Sequence, residues 1–327
     1  MTTVHDDALT TLARALAPGA FDDIRAACVL PAITTSASVS SSQVIKHAQG
    51  KRATILYSFA DQTEAPERLV GKLYRSGRRA ARMHRWLSAL ESDVFLKTDR
   101  IRVPQPLGLS GALHMLLYDY VDGVDLRHAV DDNKPFALAA HWLARLHDAR
   151  PLAELKVRTI QHDVAKSIQW IKAVQPALSA SNGTRLARMH NLLERLPTTP
   201  PDELRMIHRD YYYANLLWDG SSLWALDIDQ LRLGEPALDV AHFSAHLQVL
   251  AYRQTGDFAA YDEQMHHFLN TYRQARPTGD AFGRLPFYTA YTFLKLAATE
   301  VDRARDGWRD AAEVFAARAC DALDGRA

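Results

Sequence analysis

No stretch of this 327-residue sequence holds the roughly 18 consecutive apolar residues that a membrane-crossing helix needs, which predicts a chain with no spanning helix. Cysteine is scarce: Cys28 and Cys320 lie near opposite ends, with no CxxC and no His beside them at a metal-ligand spacing, so both are expected to be reduced and buried. Net charge is missing too. Lys and Arg total 39 against 38 for Asp and Glu, a formal +1, which provides no global field for nucleic acid or an anionic membrane. Asp6 and Asp7 precede the first apolar stretch, the wrong sign for a signal-peptide n-region, so the expectation is a cytoplasmic protein. There is no internal repeat, and no low-complexity stretch beyond one short Ser/Thr cluster.

What is present is enough apolar content, 47%, to bury a large core in about two domains or one split enzyme. Residues 8 to 29 have helical spacing, and the cluster from Thr34 to Ser42 reads as a loop. Then SQVIKHAQ, RATILYSF and LVGKLYR predict three antiparallel strands, with a turn at Gly50 and Lys51 and a polar stretch before the third. Ala80, Met83, Leu87 and Leu90 recur at helical intervals among arginines 75, 78, 79, 82 and 85, an amphipathic helix whose basic side reads as a solvated face. RVPQPLGLSG, with two prolines, fits an edge strand or loop, and ALHMLLYDYV a buried strand. Beyond Gly123 helical periodicity dominates, as in Ala139, Trp142, Leu143 and Leu146, or Phe287, Ala290, Leu294 and Ala297. The exception is residues 205 to 229, where MIH, LLW and LWALD are short apolar strands and Asp219-Gly220 a strong turn pair.

That exception carries the chemistry. Phosphoryl transfer needs a carboxylate to orient the acceptor hydroxyl and take its proton, and hard oxygen ligands for Mg²⁺ on the phosphates. In MIHRDYYYANLLWDGSSLWALDIDQLRLGEPALDVAHF, Asp210 follows one short strand, Asn215 lies five residues on within one tight loop, and Asp227 ends the next hairpin. Their spacing lets all three side chains converge. Tyr211, Tyr212 and Tyr213 read as acceptor-pocket lining or packing, with at least one in the core.

His208, Asp210 and Asn215 match the H-x-D-x-x-x-x-N loop of the aminoglycoside phosphotransferase and choline kinase superfamily, relatives of the protein kinases, which this sequence resembles over residues 43 to 243. The resemblance assigns Asp210 as the catalytic base. It makes Asn215 and Asp227 ligands of Mg²⁺, and Lys72 the strand lysine on the α- and β-phosphates of ATP or GTP. Tyr118 and Tyr120, in YDYVDG, fall in the segment that offers backbone groups to the base. Asp239, in GEPALD, would brace the catalytic loop, and LARLHD resembles a structural helix of the family. Asp229 reads equally as an extra carboxylate near the metal or a solvated one.

Two departures stand out. Relatives pair the strand lysine with a Glu on the next helix, yet residues 73 to 90 hold no acidic residue and Arg79 or a neighbour stands in its place, leaving Glu91, Glu64 or Glu67 as substitutes. The first hairpin turn has one glycine where protein kinases have G-x-G-x-x-G, and only eleven residues separate Asp227 from Asp239, too few for a regulatory activation segment. Both features favour a small-molecule acceptor. Glu300, Asp302 and Asp306 read as an acidic face for a cationic acceptor or as ordinary helix-surface charge.

The expectation is a bilobal, protein-kinase-like α+β fold. A five-stranded antiparallel lobe would occupy residues 1–120 and a helical lobe 121–327, with ATP or GTP and Mg²⁺ in the cleft. The expected activity is transfer of the γ-phosphate to a hydroxyl of an antibiotic, amino alcohol or sugar. The alternative, motivated by the missing Glu, is a nucleotide-binding pseudokinase.

Overall fold

The computed structural model describes residues 6–27, 38–60, 68–196, 204–278 and 281–325; Cys28, Glu64 and Glu67 lie outside them. In chain order the elements are α1 (Leu12–Leu16), α2 (Ala20–Ala27), β1 (Ser38–Ala48), β2 (Arg52–Ala60), β3 (Arg68–Tyr74), α3 (Gly77–Asp93), β4 (Ile101–Arg102), β5 (Pro106–Ser110), β6 (Met115–Asp119), β7 (Val124–Asp125), α4 (Lys134–Asp148), α5 (Ile160–Val174), α6 (Ala180–Glu194), β8 (Arg205–Ile207), β9 (Leu216–Trp218), β10 (Leu223–Ala225), β11 (Arg232–Gly234), α7 (Ala237–Thr255), α8 (Asp262–Ala275), α9 (Leu285–Arg303) and α10 (Trp308–Leu323). They form two compact units, Met1–Gly123 with Leu217–Asp229, and Val124–Leu216 with Gln230–Ala327. The hairpin segment Leu217–Asp229 thus belongs to the same unit as the sheet.

In the first unit an antiparallel sheet runs β1-β2-β3-β6-β5. Alternation along each strand separates its faces. Ala53, Ile55, Tyr57, Leu69, Leu73, Met115 and Leu117 pack into one apolar core with Leu9, Leu12 and Ile24 of the N-terminal segment. The opposite face carries Thr54, Lys72 and Leu116 in one cross-strand row, flanked by the pairs Arg52 with Tyr74 and Val70 with Tyr118. Gly71, one residue from Lys72, points into the core, where a Cβ would come within 2.5 Å of Met115 Sδ. Glycine there allows the strands to close over methionine. α3 buries Ala80, Met83, Trp86, Leu87 and Leu90 as its spacing predicts.

Two local expectations change. The helical pattern of residues 8 to 29 divides into α1 and α2, because Ala17 precedes Pro18 and takes an extended conformation (φ −74°, ψ 150°). Ser38–Ser42, expected in a loop, is strand: Ser41 pairs with Ser58 and Ser42 with Tyr57, and this pairing outweighs weak local propensity.

The second unit is helical. α5, α6, α7, α9 and α10 share a core that includes Ile171, Leu186, Ala241, Phe293, Leu294 and Phe315. Cys320 is buried there, and its burial pushes the thiol up to about 11, so it stays protonated and inert. β8 and β11 pair antiparallel, Ile207 opposite Arg232, and bring the chain before and after residues 208–231 side by side.

Candidate active site

In the first unit, Lys72 is buried at 7% exposure and reaches two carboxylates. Its Nζ lies 2.8 Å from Asp227 Oδ1 and hydrogen bonds to Asp229 Oδ2. Burial pulls the ammonium pKa down, but Asp229 and Asp227 outweigh it and hold the value well above the usual lysine range. Asp227 is surrounded further: Lys46 Nζ and Arg52 NH2 each lie 3.2 Å from its Oδ2. Burial pushes its carboxyl up, yet Lys72, Arg52 and Lys46 together leave it far below the normal carboxylate range. Asp229, 3% exposed, is raised by burial, so the two neighbouring carboxylates are driven apart. Asp227 also adopts a left-handed backbone (φ +62°), which costs a non-glycine residue of order 1 kcal/mol or more and is kept where the side chain must be aimed.

These contacts replace the missing helix Glu. Asp229, from the same short segment as Asp227, holds Lys72, whereas Glu91 pairs with Lys97 at 3.7 Å. Arg79, which stands where a Glu was expected, is not a purely solvated residue: its NH2 lies 3.7 Å from Asp229 Oδ1. The helix thus contributes a cation to Asp229 rather than a carboxylate to Lys72. Tyr118 shares the Lys72 face of the sheet, and burial pushes its phenol up to about 12. The Tyr120 ring lies 4.0 Å from the guanidinium of Arg68.

In the second unit, the loop from His208 to Asn215 is braced from α7. Asp239, fully buried, accepts hydrogen bonds from the backbone N–H of His208 and of Arg209, both at 2.6 Å, and from His147 Nε2 at 3.2 Å. His147 belongs to α4, which also supplies Trp142, stacked 5.2 Å from Tyr211 and edge-on to His208 at 5.8 Å. Tyr211 is the core tyrosine of the three, its hydroxyl donating to Ala139 O at 2.8 Å. Arg209 takes a left-handed backbone (φ +70°) directly before Asp210. The strain and the brace together fix the direction of Asp210.

Asp210 keeps 28% side-chain exposure, with His242 Nε2 3.8 Å from Oδ1. Burial raises its carboxyl, but His242, Lys295 and His208 overcome this and place it well below the usual range. It is therefore ionised throughout the physiological range, suited to orienting a hydroxyl and receiving its proton late. Asn215 Nδ2 donates to Asp210 O at 2.9 Å and to Oδ2 at 3.3 Å. The His242 and His246 rings of α7 lie tilted at 4.3 Å, and the Tyr212 ring lies 4.6 Å from His246. Burial lowers the pKa of both histidines and of Lys295.

Asn215 Oδ1 and the Asp227 carboxylate are hard oxygen donors of the kind Mg²⁺ takes, and Asp229 Oδ1 is a buried oxygen without a hydrogen-bond partner among the described residues. No group of three His, Cys, Asp or Glu forms a metal cage among the described residues. Sequence reasoning missed Lys46, Arg52, His242, His246 and Lys295. The histidines had a signal in the spacing 239, 242, 246 on one helix; the basic residues are set by pairing register and packing.

A family model described as the phosphotransferase enzyme family matches residues 56–278. No curated protein matches the sequence. Solved structures do, at low identity. A choline kinase from Cryptosporidium parvum superposes with a TM-score of 0.63 at 11% identity, covering 90% of this chain and 91% of its own. A macrolide 2'-phosphotransferase type I gives 0.56 at 18% identity, covering 87% and 98%. An amicoumacin kinase solved with AMP-PNP and Ca²⁺ gives 0.61 at 14% identity, covering 95% of each. These likenesses show the kinase-like fold, and with the family match over more than half its length, the chain belongs to the phosphotransferase enzyme family.

Proposed function

We propose that the chain is a small-molecule kinase that transfers the γ-phosphate of ATP or GTP to a hydroxyl of a small acceptor. One observation carries this reading: a buried strand lysine, Lys72, seated 2.8 Å from Asp227, 155 residues away in sequence. Asp210 orients the acceptor hydroxyl and takes its proton. Asn215 in the second unit and Asp227 in the first are each oxygen donors that would suit Mg²⁺, which would supply charge neutralisation. Lys72 neutralises phosphate charge, and the segment with Tyr118 and Tyr120 receives the base. Catalysis is then positioning and electrostatics, with little covalent work for the protein. The alternative, a nucleotide-binding pseudokinase, is motivated by the missing helix Glu; the ion pair of Lys72 with Asp229 supports the kinase reading instead.

Charge around Asp210 narrows the acceptor. Lys295 acts on Asp210 from α9, and of the three acidic candidates for a cationic acceptor Glu300 pairs with Arg253 at 2.7 Å, while Asp302 and Asp306 are exposed. A polycationic acceptor would meet repulsion there, so a neutral or anionic hydroxyl compound is favoured. Mg²⁺-dependent ATP consumption across hydroxy acids, neutral sugars, macrolides, amino alcohols and amino sugars tests both statements. Turnover stimulated by a neutral or anionic acceptor and abolished in Asp210→Ala supports them. Turnover only with amino sugars overturns the acceptor class, and nucleotide binding without turnover on any acceptor overturns the kinase.

A further inference from the structure

The first hairpin turn, Gly50 and Lys51, provides one glycine, at φ +69°, so it lacks the run of glycines that lets backbone amides wrap a polyphosphate. The side chains on either side of the turn suggest what replaces it. Lys46 of β1 and Arg52 of β2 both reach Asp227 Oδ2, at 3.2 Å each. Lys46 does so because of an irregularity. Val44 pairs with Ile55 and Lys46 with Thr54, so Ile45 is an extra residue, a β-bulge left half-exposed at 50%. In a regular strand Val44 and Lys46 would share a face. The bulge keeps Val44 against the apolar core and turns Lys46 onto the face of Thr54 and Lys72.

Lys46, Arg52, Lys72 and Arg79 converge on the carboxylates of Asp227 and Asp229. Four cationic side chains around two carboxylates form a donor-rich surface that suits an anion. A dication on Asp227 would also repel the two cations that share its Oδ2 and drive them to new partners.

We infer that Lys46 and Arg52 form a side-chain clamp for the nucleotide's phosphates, in place of a glycine-rich loop, resting on Asp227 until a metal-nucleotide complex displaces them. The clamp rests on the kinase reading for its ligand, but its test does not need turnover. Lys46→Gln, Arg52→Gln and Lys46→Arg are compared with the unaltered chain by calorimetric titration with Mg·ATP, ADP, AMP and adenosine. Each Gln variant should weaken ATP about tenfold, the worth of one charge-assisted hydrogen bond, with smaller losses for ADP, still smaller for AMP, and no change for adenosine. Lys46→Arg should retain most ATP affinity. Unchanged ATP affinity in both Gln variants, or equal losses for ATP and adenosine, overturns the clamp. No ATP binding by the unaltered chain overturns the nucleotide reading and the clamp with it. The graded pattern without turnover on any acceptor leaves the clamp standing and removes only the kinase.

Discussion

Lys72 and Lys295 are two lysines held away from water, one in each unit, and their surroundings drive them in opposite directions. Lys72 faces Asp229 and Asp227, so attraction exceeds the cost of burial and its proton is held more tightly than in water. Lys295 has burial against it first, only Asp210 in its favour, and the guanidiniums of Arg209 and Arg158 opposed, so its proton is held less tightly. Burial alone does not decide the state of a lysine; the count of partner charges does. Lys72 is thus a cation held by its carboxylates, whereas Lys295 is a cation whose surroundings favour losing the proton.

The largest expected effect is on chemistry. Asp210 is the carboxylate on which Lys295 acts, and Asp210→Ala should lower kcat by about a thousandfold, within the range for loss of a general base, with little change in nucleotide affinity. Steady-state kinetics and nucleotide titration separate the two; an unchanged kcat would remove Asp210 from the reaction. Next is stability in the first unit. Lys72→Met strands Asp227 and Asp229 without their main cation, and breaking such a buried set costs about 3–5 kcal/mol, readable by urea denaturation at pH 7. A cost below about 1 kcal/mol would mean that Arg52, Lys46 and Arg79 suffice.

The brace of the catalytic loop should rank third. Asp239→Asn keeps shape but removes the charge that receives the His208 and Arg209 amides. A loss of about 2 kcal/mol in stability is expected from weaker charge-assisted bonds, with a fall in kcat because the Asp210 loop loosens. Stability lost with kcat intact would make Asp239 a purely structural residue.

The candidate residues were legible because the loop places them by local spacing: His208, Asp210 and Asn215 lie within eight positions, and Asp227 ends the following hairpin. The sheet was legible for a similar reason, since apolar alternation in RATILYSF and LVGKLYR carries its own period. Lys46 was not legible. Its direction depends on a bulge at Ile45 that only the pairing with β2 defines, and the same letters without the bulge would aim it at the core. Nor was the partner of Lys72. The expected Glu belongs to a helix five to twenty-one residues on, whereas Asp229 lies 157 residues away, just past the β9–β10 hairpin. Charge partners made by tertiary packing leave no mark in periodicity.

The smallest effect returns to the comparison. Lys295→Met removes a cation whose folded pKa lies below its unfolded value of about 10.5, so the unfolded state binds more protons between those two values. The native lysine therefore destabilises the chain fully below its folded pKa, and this cost fades as pH rises towards 10.5. Replacement by methionine should stabilise the protein by roughly 1 kcal/mol at pH 7, with the gain shrinking at higher pH, while the same change at Lys72 destabilises it. Urea midpoints for both variants at pH 7 and 9 give the answer. If Lys295→Met also raises the KM for an anionic acceptor while leaving the KM for ATP in place, the strain is retained for the acceptor; if only stability changes, Lys295 acts on Asp210 alone.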